Sequence, residues 1–385
     1  MNENLILFVT NIFVFVLGGG MLLIIPQITR KSLLFGVKIP MEHSGSEEAA
    51  ALRRRYIGTC LAGVLVILVI CIAQYSLWPE WTLLVTLYMP LLIIPLYLLA
   101  FVPNWKAAVR LKQEKNWQVP GAVFAETGSS HSRGNLSKLP WAWYVAGLVI
   151  VLATIAAAAM RYPALPDQIP GHMDANMQAT RYVDKTWLSV LMMPLMNLAT
   201  LAIVFAVGIS IEKAKLQIDA ARPRISFLQH VVYRRRMGNA LGFMAVGMAI
   251  LMALIGLPFI YYPVSPEAGT VIFWVSMVII FVPLAVLIGV IIKTGQGGCK
   301  VKVDENAADA ENAAATGPAF TGRGDDKYWK LGMFYYNPDD PAYIVEGRFG
   351  PNMGPNYGRL PVKIGMGLLA AALVVMYVWL TVVLV

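Results

Sequence analysis

The sequence predicts an all-α polytopic membrane protein with eight transmembrane helices, both termini outside, and a small irregular or β-rich cytoplasmic module before the last helix. Hydrophobic residues make up 58% of the 385 residues and charged residues only 14%, against about 25% charged in soluble domains. The apolar residues collect in runs of about twenty, the length that crosses a hydrocarbon core. Lysine and arginine are distributed unevenly around these runs, which predicts the orientation.

Eight apolar runs form the predicted spans, and none of them contains Asp, Glu, Lys, Arg or His. When alternate loops are assigned to opposite sides, 28 of the 31 Lys and Arg residues fall on one side and 3 on the other. Positive residues accumulate in cytoplasmic loops, so both termini and loop 161–186 are predicted outside. The spans cover residues 5–25, 57–77, 82–102, 141–160, 187–209, 241–260, 271–292 and 364–385.

Few features interrupt these spans. Pro90 and Pro95 predict kinks in the third span, and the WPEW sequence at 78–81 predicts a tight interfacial turn before it. The strongly polar residues inside the spans are expected to join neighbouring helices rather than to relay protons; they are Asn11, Gln74 and Asn197.

The loops and spans divide the chain into six parts. The division follows changes in hydropathy, charge and turn-forming residues. The parts are 1–140 with the first three spans and basic cytoplasmic loops, 141–210 with two spans that flank a polar loop, 211–302 with a cytoplasmic helix and spans six and seven, 303–324 as an acidic flexible linker, 325–361 as an aromatic, turn-rich module, and 362–385 with the last span.

The basic stretch between spans five and six covers residues 211–237. Its first half predicts a cytoplasmic extension of span five. Its second half predicts a surface helix that carries His230 and ends in three consecutive arginines, 234–236, next to span six. Such a basic end is typical of a membrane-surface anchor.

The polar loop between spans four and five, residues 162–185, is the first candidate functional site. Pro163, Pro166 and Pro170 fix φ and disfavour helix in the residues before them, so the loop is predicted to be extended and stiff. It also concentrates side chains that bind metal ions or form hydrogen bonds: His172, Asp174, Asp167 and Asp184.

Two interpretations of this loop stay open. His172 and Asp174 are candidate metal ligands, which Asp167 and Asp184 could join, although their spacing matches no standard zinc pattern. Alternatively, His172 bonds neighbouring backbone and the loop is a structural cap over the helix ends. We expect no catalytic residue and no cofactor, apart from the metal ion that the first interpretation allows.

The segment 325–361 is the second candidate site. Aromatic and β-branched runs alternate there with Asn-Pro, Asp-Pro and Gly-rich turns. This pattern predicts a small β-meander or folded loop on the cytoplasmic face.

The polar loop resembles a short domain of unknown function in the sporulation-delaying-protein immunity family of bacterial membrane proteins. Two positions depart from the usual pattern, since Met177 stands where glycine is usual and Thr180 where an acidic residue is usual. The pattern, Y-x-x-L-P-x-x-I-P-x-H followed by Tyr and Lys, is carried by Tyr162, Leu165, Pro166, Ile169, Pro170, His172, Tyr182 and Lys185.

The segment 325–361 is similar to a second uncharacterised domain of related bacterial membrane proteins, as is the juxtamembrane piece LFGVKIP at 34–40. The candidate site residues of segment 325–361 are Asp325, Asp326, Trp329, Asn337, Asp340, Arg348 and Asn356. The similarity is carried by Asp325, Asp326, Trp329, Gly332, Phe334, Tyr335, Asn337, Asp340, Pro341, Val345, Arg348, Gly350 and Asn356.

These resemblances imply a multi-pass protein of the bacterial cell membrane, of immunity or sensing type. The outer loop would respond to an extracellular peptide or envelope stress, and the cytoplasmic face would signal to a regulator protein. The expected partners are therefore the lipid bilayer, an extracellular peptide and a cytoplasmic protein, with no direct contact to nucleic acid. The net positive charge of the chain is explained by the basic loops that lie on the cytoplasmic side of membrane proteins, rather than by nucleic-acid binding.

Two other functions stay open. One is a metal-dependent membrane enzyme whose site lies at the outer helix ends, with His172, Asp174 and Asp184 as ligands. The sequence contains no H-E-x-x-H, G-x-S-x-G or Walker motif, which favours a protein that is not an enzyme. The other is a transporter or an exporter of a hydrophobic substrate, since the absence of ionisable residues from the spans weighs only against ion-coupled transport.

Overall fold

The computed structural model describes residues 3–119, 124–125, 138–174, 177–213, 223–303, 319–350 and 353–384. Within these residues, eight helical stretches are long and apolar enough to cross a membrane, so the predicted number of spans is confirmed. Their orientation stays a prediction. The helices are α1 Glu3–Ile28, α2 Glu47–Leu77, α3 Thr82–Tyr88, α4 Ile93–Glu114, α5 Trp141–Arg161, α6 Trp187–Lys213, α7 Pro223–Ile260, α8 Pro266–Thr294 and α9 Leu360–Leu384.

The strands of the described residues are short and pair two by two, each pair antiparallel. Five of the ten described strands lie in the C-terminal region, as the predicted β-rich module requires. The pairs are β1 Leu33–Leu34 with β2 Val37–Lys38, β3 Phe124–Ala125 with β6 Ala319–Phe320, β4 Gln168–Met173 with β5 Ala179–Asp184, β7 Trp329–Lys330 with β8 Phe334–Tyr335, and β9 Ile344–Glu346 with β10 Met353–Pro355.

Several helices extend well beyond the predicted spans on the side that is rich in Lys and Arg. Helix α2 begins at Glu47, where the Ser46 side chain accepts a hydrogen bond from the backbone of Ala49 at 3.3 Å, as an N-cap does. Helix α7 begins at Pro223 and runs unbroken to Ile260. The prediction of a separate surface helix before span six is therefore wrong, because this segment continues the spanning helix.

The third span confirms the predicted kink at Pro90. Helix α3 ends at Tyr88, a 3-10 turn follows over Met89–Leu92, and α4 continues the span. Proline removes a backbone donor and clashes with the preceding turn, which accounts for the break.

Two of the polar residues inside the spans join helices, as predicted. Asn11 donates to Thr86 Oγ1 at 3.0 Å, between α1 and α3. Asn197 donates to the carbonyl of Ala249 at 3.0 Å, between α6 and α7. Such bonds satisfy polar groups where lipid offers no partner.

The chain forms two compact units. The hairpin unit contains residues 1–3, 133–213 and 231–293, with α5, α6, most of α7, and α8 around the β4–β5 hairpin. The module unit contains residues 4–132, 214–230 and 294–385, with α1 to α4, α9 and the remaining strand pairs.

The core of the module unit is built where the β1–β2 turn meets the aromatic side chains of the helices. Phe35 and Gly36 form this two-residue turn with φ of 47° and 79°, the conformation of a type I′ hairpin. The buried ring of Phe35 lies 5.4 Å from the rings of Tyr56 and Phe349 and 6.0 Å from that of Phe101. The turn thus fixes the segment that resembles other membrane proteins.

Part of the predicted flexible linker, 303–324, is structured. Residues 304–318 lie outside the described residues, but 319–320 form β6 and 321–324 form a 3-10 turn. Arg323 in that turn is buried and ion-paired with Asp340 at 2.7 Å. The prediction of flexibility is therefore wrong for 319–324, because a buried guanidinium must keep its partner.

We expect Gly36→Ala to lower the melting temperature of the purified protein. A Cβ at Gly36 would overlap the carbonyl of Gly332, and its φ of +79° strains any other residue, a cost of about 1–3 kcal/mol from the backbone alone. Gly45→Ala is the matched control, because a Cβ there meets no atom within 4 Å. Equal melting temperatures of the two variants would contradict the turn's role.

Candidate functional site

The polar loop folds into the β4–β5 hairpin. Gln168 pairs with Asp184 and Pro170 with Tyr182, and the register shifts on both sides of His172. The predicted extended conformation is confirmed for 168–173, whereas Tyr162–Ala164 forms a 3-10 turn that includes Pro163. The pairing of the two halves of the loop was not predicted.

The frame of the hairpin is made by residues of the sequence pattern. Leu165 and Ile169 are buried in a cluster with Ala158, Val190 and Ile260. Through these apolar contacts the hairpin packs against the ends of α5, α6 and α7. They account for the leucine and isoleucine of the pattern by packing alone.

The two ends of the loop are joined by Lys185. Its ammonium donates to the carbonyl of Leu165 at 2.7 Å and lies 5.4 Å from the centre of the Tyr162 ring. That ring stacks on Trp187 at 3.9 Å between centroids. A cation over an aromatic face is attractive, so Tyr162 and Lys185 close the base of the hairpin.

His172 is exposed, and its Nδ1 lies 2.7 Å from Thr180 Oγ1 across the hairpin. Thr180, which stands where the pattern usually has an acidic residue, thus contacts His172. Met177, which replaces the usual glycine, has a φ of 59°. The turn therefore keeps the left-handed conformation that glycine favours, and both departures from the pattern are accommodated.

The acidic residues of the loop serve mainly its backbone geometry. Asp174 accepts from the backbone of Gln178 at 2.8 Å. Asp167 and Asp184 are exposed, and their carbonyls accept from Lys185 N and Ser189 Oγ, both at 2.8 Å. Among the described residues, no three His, Cys, Asp or Glu side chains are grouped as metal ligands. A metal ion bound by His172 and Asp174 stays a prediction.

The remaining pattern residues of the loop differ in exposure. Pro166 is exposed, and Pro170 is buried beneath the hairpin. Tyr182 is exposed, with its ring edge-to-face against Tyr262 at 6.4 Å between centroids. Tyr182 is thus the aromatic side chain that the second strand presents outward.

A pocket of about 360 Å³ lies between the hairpin and the helix ends. Its floor is apolar, and Arg181 and Asp184 stand at its hairpin side. This size and this mixture of apolar walls with few charges are typical of ligand sites. Other lining residues are Ile169, Pro170, Gly171, Val183, Thr186, Leu188, Ser189, Val190, Met192, Met193, Gly256, Phe259 and Ile260.

In the module, the polar residues of the second pattern form the structural frame. Asp340 is fully buried and accepts from Arg323 at 2.7 and 2.8 Å, from Tyr335 at 2.9 Å and from the backbone of Ala342 at 2.9 Å. Burial would raise the pKa of Asp340, but the Arg323 and backbone bonds outweigh it and lower the pKa. Asp340 therefore stays ionised as the centre of the module.

Two amides hold the ends of the module together. Asn356 donates to the carbonyls of Asn337, Asp340 and Ala342 at 2.8–3.1 Å, and its side-chain oxygen accepts from Asn337 N at 3.0 Å. Buried amides of this kind act as backbone staples. Both positions are thus explained without a ligand.

The remaining module residues attach it to the helices of the same unit. Arg348 is buried over the Trp329 ring, 4.8 Å from its centre, and donates to the Gly36 carbonyl at 3.0 Å and to Asp326. Asp326 also accepts from Lys112 of α4 at 2.7 Å. Asp325 caps the short 3-10 turn and is exposed. The described part of the module is thus tied to the membrane helices.

Sequence reasoning missed a buried ionic cluster in this unit. Arg30 Nη2 lies 2.6 Å from Glu346 Oε1 and 2.8 Å from His230 Nε2, and His230 Nε2 lies 3.1 Å from Glu346 Oε2. His230 is only 3% exposed, so its predicted surface position is wrong. Gly297 packs so close that a Cβ there would overlap all three side chains.

The contacts of the cluster account for the charge of Glu346. His230 Nδ1 lies 2.6 Å from the Ser226 carbonyl, which can only accept, so Nδ1 carries a proton. Burial would raise the pKa of Glu346, but the neighbouring Arg30 and His230 lower it to about 2. Glu346 is thus an anion at neutral pH.

A spacing signal could have identified this buried face of α7. Ser226, His230 and Arg234 follow each other at intervals of four residues, and all three are buried. Residues at this spacing share one helix face. A polar helix face suggested exposure to water. The side chains of this face are buried instead, and His230 contacts Arg30 and Glu346.

We expect Glu346→Gln to lower the melting temperature at pH 7, because it leaves Arg30 without its buried counter-charge, a loss of about 3–5 kcal/mol. The depressed pKa of Glu346 stabilises the fold above about pH 4.5, and this stabilisation fades as pH falls towards 2. The difference between variant and wild type should therefore shrink in melts at pH 3. Glu47→Gln, in an exposed pair with Arg54, is the control, and an equal effect of both variants would contradict the assignment.

Residues 149–198 match the family described as a domain of unknown function, DUF1648, which is found in bacterial membrane proteins. The match runs from α5 through the hairpin into α6, and so covers the frame described above. No curated protein and no solved structure matches the chain. The match agrees with the resemblance of the loop to a domain of unknown function, and membership of the immunity family stays a prediction.

Proposed function

We propose that this protein is a receptor of immunity or sensing type in a bacterial cell membrane, and that it takes up a segment of an extracellular peptide in the hairpin pocket. The observation that carries the proposal is the pocket of about 360 Å³ between the hairpin and the helix ends. Twelve of its fifteen lining residues belong to the segment that matches DUF1648, and it lies on the side predicted to hold only 3 of the 31 Lys and Arg residues.

The lining of the pocket suits an amphipathic peptide. Apolar side chains from α6 and α7, among them Val190, Met193 and Phe259, would take an apolar side chain of the peptide. Arg181 and Asp184 offer one charge of each sign at the hairpin side, which suits polar backbone and charged side chains. The flexible methionines tolerate ligands of varied shape.

The two-stranded hairpin adds a second mode of contact. A strand pair leaves an outer edge with unpaired backbone groups, to which an extended peptide can add. Along β5, Arg181 and Tyr182 are exposed and would flank such a peptide. Recognition would thus combine backbone pairing with one anchored side chain.

The cytoplasmic half of the proposal rests on the module. Its Asp326 and Glu346 pair with Lys112 of α4, with His230 of α7 and with Arg30, which follows α1. A regulator that binds the module would therefore sense helix positions within that unit. Ion-coupled transport is less suited, because the predicted spans contain no ionisable residue.

We expect Met192→Trp to reduce peptide tolerance, because Met192 lines the pocket and is 47% exposed. The larger ring would occupy the site and weaken binding by about tenfold or more, equivalent to about 1.4 kcal/mol. The measurement is the inhibitory concentration of a panel of membrane-active peptides for a sensitive bacterial host with and without the chain.

Met196→Trp is the matched control, one turn further along α6, 50% exposed and not among the lining residues. It should leave tolerance unchanged. If the wild-type chain raises tolerance to no peptide, the immunity proposal fails. If both variants behave as wild type, the pocket is not the receptor site.

We also expect His172→Ala to reduce tolerance more than Thr180→Val does. Both variants remove the 2.7 Å contact between the two side chains, but only the first removes the exposed imidazole. Equal losses would mean that His172 acts through the hairpin's structure. Unchanged tolerance at normal protein levels would remove His172 from the mechanism.

A further inference from the structure

A crevice of about 1030 Å³ lies in the hairpin unit at the other end of its helices. It lies between the start of α5, the 231–243 segment of α7 and the last turns of α8. The residues lining it are Lys138, Pro140, Trp143, Val231, Val232, Arg235, Arg236, Asn239, Ala240, Phe243, Val286 and Val290. The hairpin function uses none of them.

One end of the crevice is cationic. Lys138, Arg235 and Arg236 are exposed and line it, and no described lining residue carries a carboxylate. Glu212, a neighbouring acid, accepts a hydrogen bond from the backbone of Leu139 at 3.0 Å. Three positive side chains therefore meet at one mouth.

The other end of the crevice is apolar. Phe243 lies seven residues beyond Arg236 on α7, about 10 Å further along the helix axis at about 1.5 Å per residue. Val286 and Val290 form the facing wall from α8. The crevice thus changes from charged to apolar over the distance that separates a lipid headgroup from its acyl chains.

The wall between these two ends is held in place. The Trp143 indole donates to Asn239 Oδ1 at 3.1 Å and packs against Gly242, where a Cβ would lie 2.6 Å from three of its atoms. It also meets the Phe243 ring edge-to-face at 5.8 Å. Gly242 is thus required for the ring to lie flat on α7, and the groove exists before any ligand binds.

We propose that this crevice is a binding site for an anionic glycerophospholipid. The headgroup phosphate is held by Lys138, Arg235 and Arg236, and an acyl chain lies along Phe243, Val286 and Val290. Arginine and lysine are the usual partners of phosphate, and basic pockets between transmembrane helices on the cytoplasmic side bind anionic headgroups. The site lies on the side predicted to hold 28 of the 31 Lys and Arg residues.

The occupant is a lipid rather than a soluble anion because the charged mouth leads directly into an apolar groove. A free phosphate would leave Phe243, Val286 and Val290 uncovered, and the exposed Val286 side chain (41%) faces outward from the unit. A zwitterionic lipid would fill the groove but place a second positive charge at the cationic mouth. The arrangement therefore discriminates by headgroup charge.

The test is binding of phosphatidylglycerol to the purified, delipidated full chain, measured by native mass spectrometry and by the rise in melting temperature. Phosphatidylcholine and soluble glycerophosphate are the comparison probes. We expect phosphatidylglycerol alone to bind and stabilise. The double variant Arg235→Gln/Arg236→Gln should weaken this binding about thirtyfold, at about 1 kcal/mol for each basic side chain.

The matched control is Lys213→Gln/Lys293→Gln, which removes the same charge from exposed positions of the same unit outside the crevice. A second variant, Val286→Trp, fills the apolar end without changing charge and should also prevent lipid binding. Equal binding of phosphatidylcholine, equal competition by glycerophosphate, or equal losses in the control and the arginine variant would overturn the proposal. Unchanged binding in Val286→Trp would overturn the acyl-chain position.

Discussion

A polar group that is removed from water in this chain is stabilised by partners within the protein, because the bilayer offers none. Inside the spans this requirement is met sparingly, by bonds such as Asn11 to Thr86 and Asn197 to the Ala249 carbonyl. Beyond the spans it is met by charge. Glu346 is buried between Arg30 and His230, and removing either Arg30 or Glu346 would leave the other without its counter-charge, which costs more than the pair contributes.

This constraint explains why the recognisable residues of the chain are mostly structural. Asp340 and Asn356 satisfy buried donors and acceptors of the module. Lys185 closes the hairpin by its bond to the Leu165 carbonyl. The polar groups of these frame residues are already bonded within the protein. The exposed side chains around the frame, such as Arg181, are therefore the better candidates for recognition.

The helices were predictable from sequence because the bilayer sets the length of a span, and each span is visible as one continuous apolar run. The pairing of β4 with β5 was not, since Pro170 lies within a strand and alternation is interrupted there. The burial of His230 was not either, because its partners Arg30 and Glu346 lie 200 and 116 residues away. Polarity on a helix face indicates that partners exist and leaves open whether they are water or protein. That the named residues of the loop form a site stays a prediction, and their division into frame and exposed face required the structure.

The hairpin pocket and the basic crevice are separate openings within one unit. They share no lining residue, and on α7 they are separated by the thirteen residues from Phe243 to Gly256, about 20 Å of helix. A ligand at one end can influence the other only if it binds two arrangements of these helices differently. Pro283 packs closely against Gly247 between the two sites, so a shift of α7 there must move α8 as well. A lipid held between α5, α7 and α8 would thus favour one arrangement of the helices that carry the pocket.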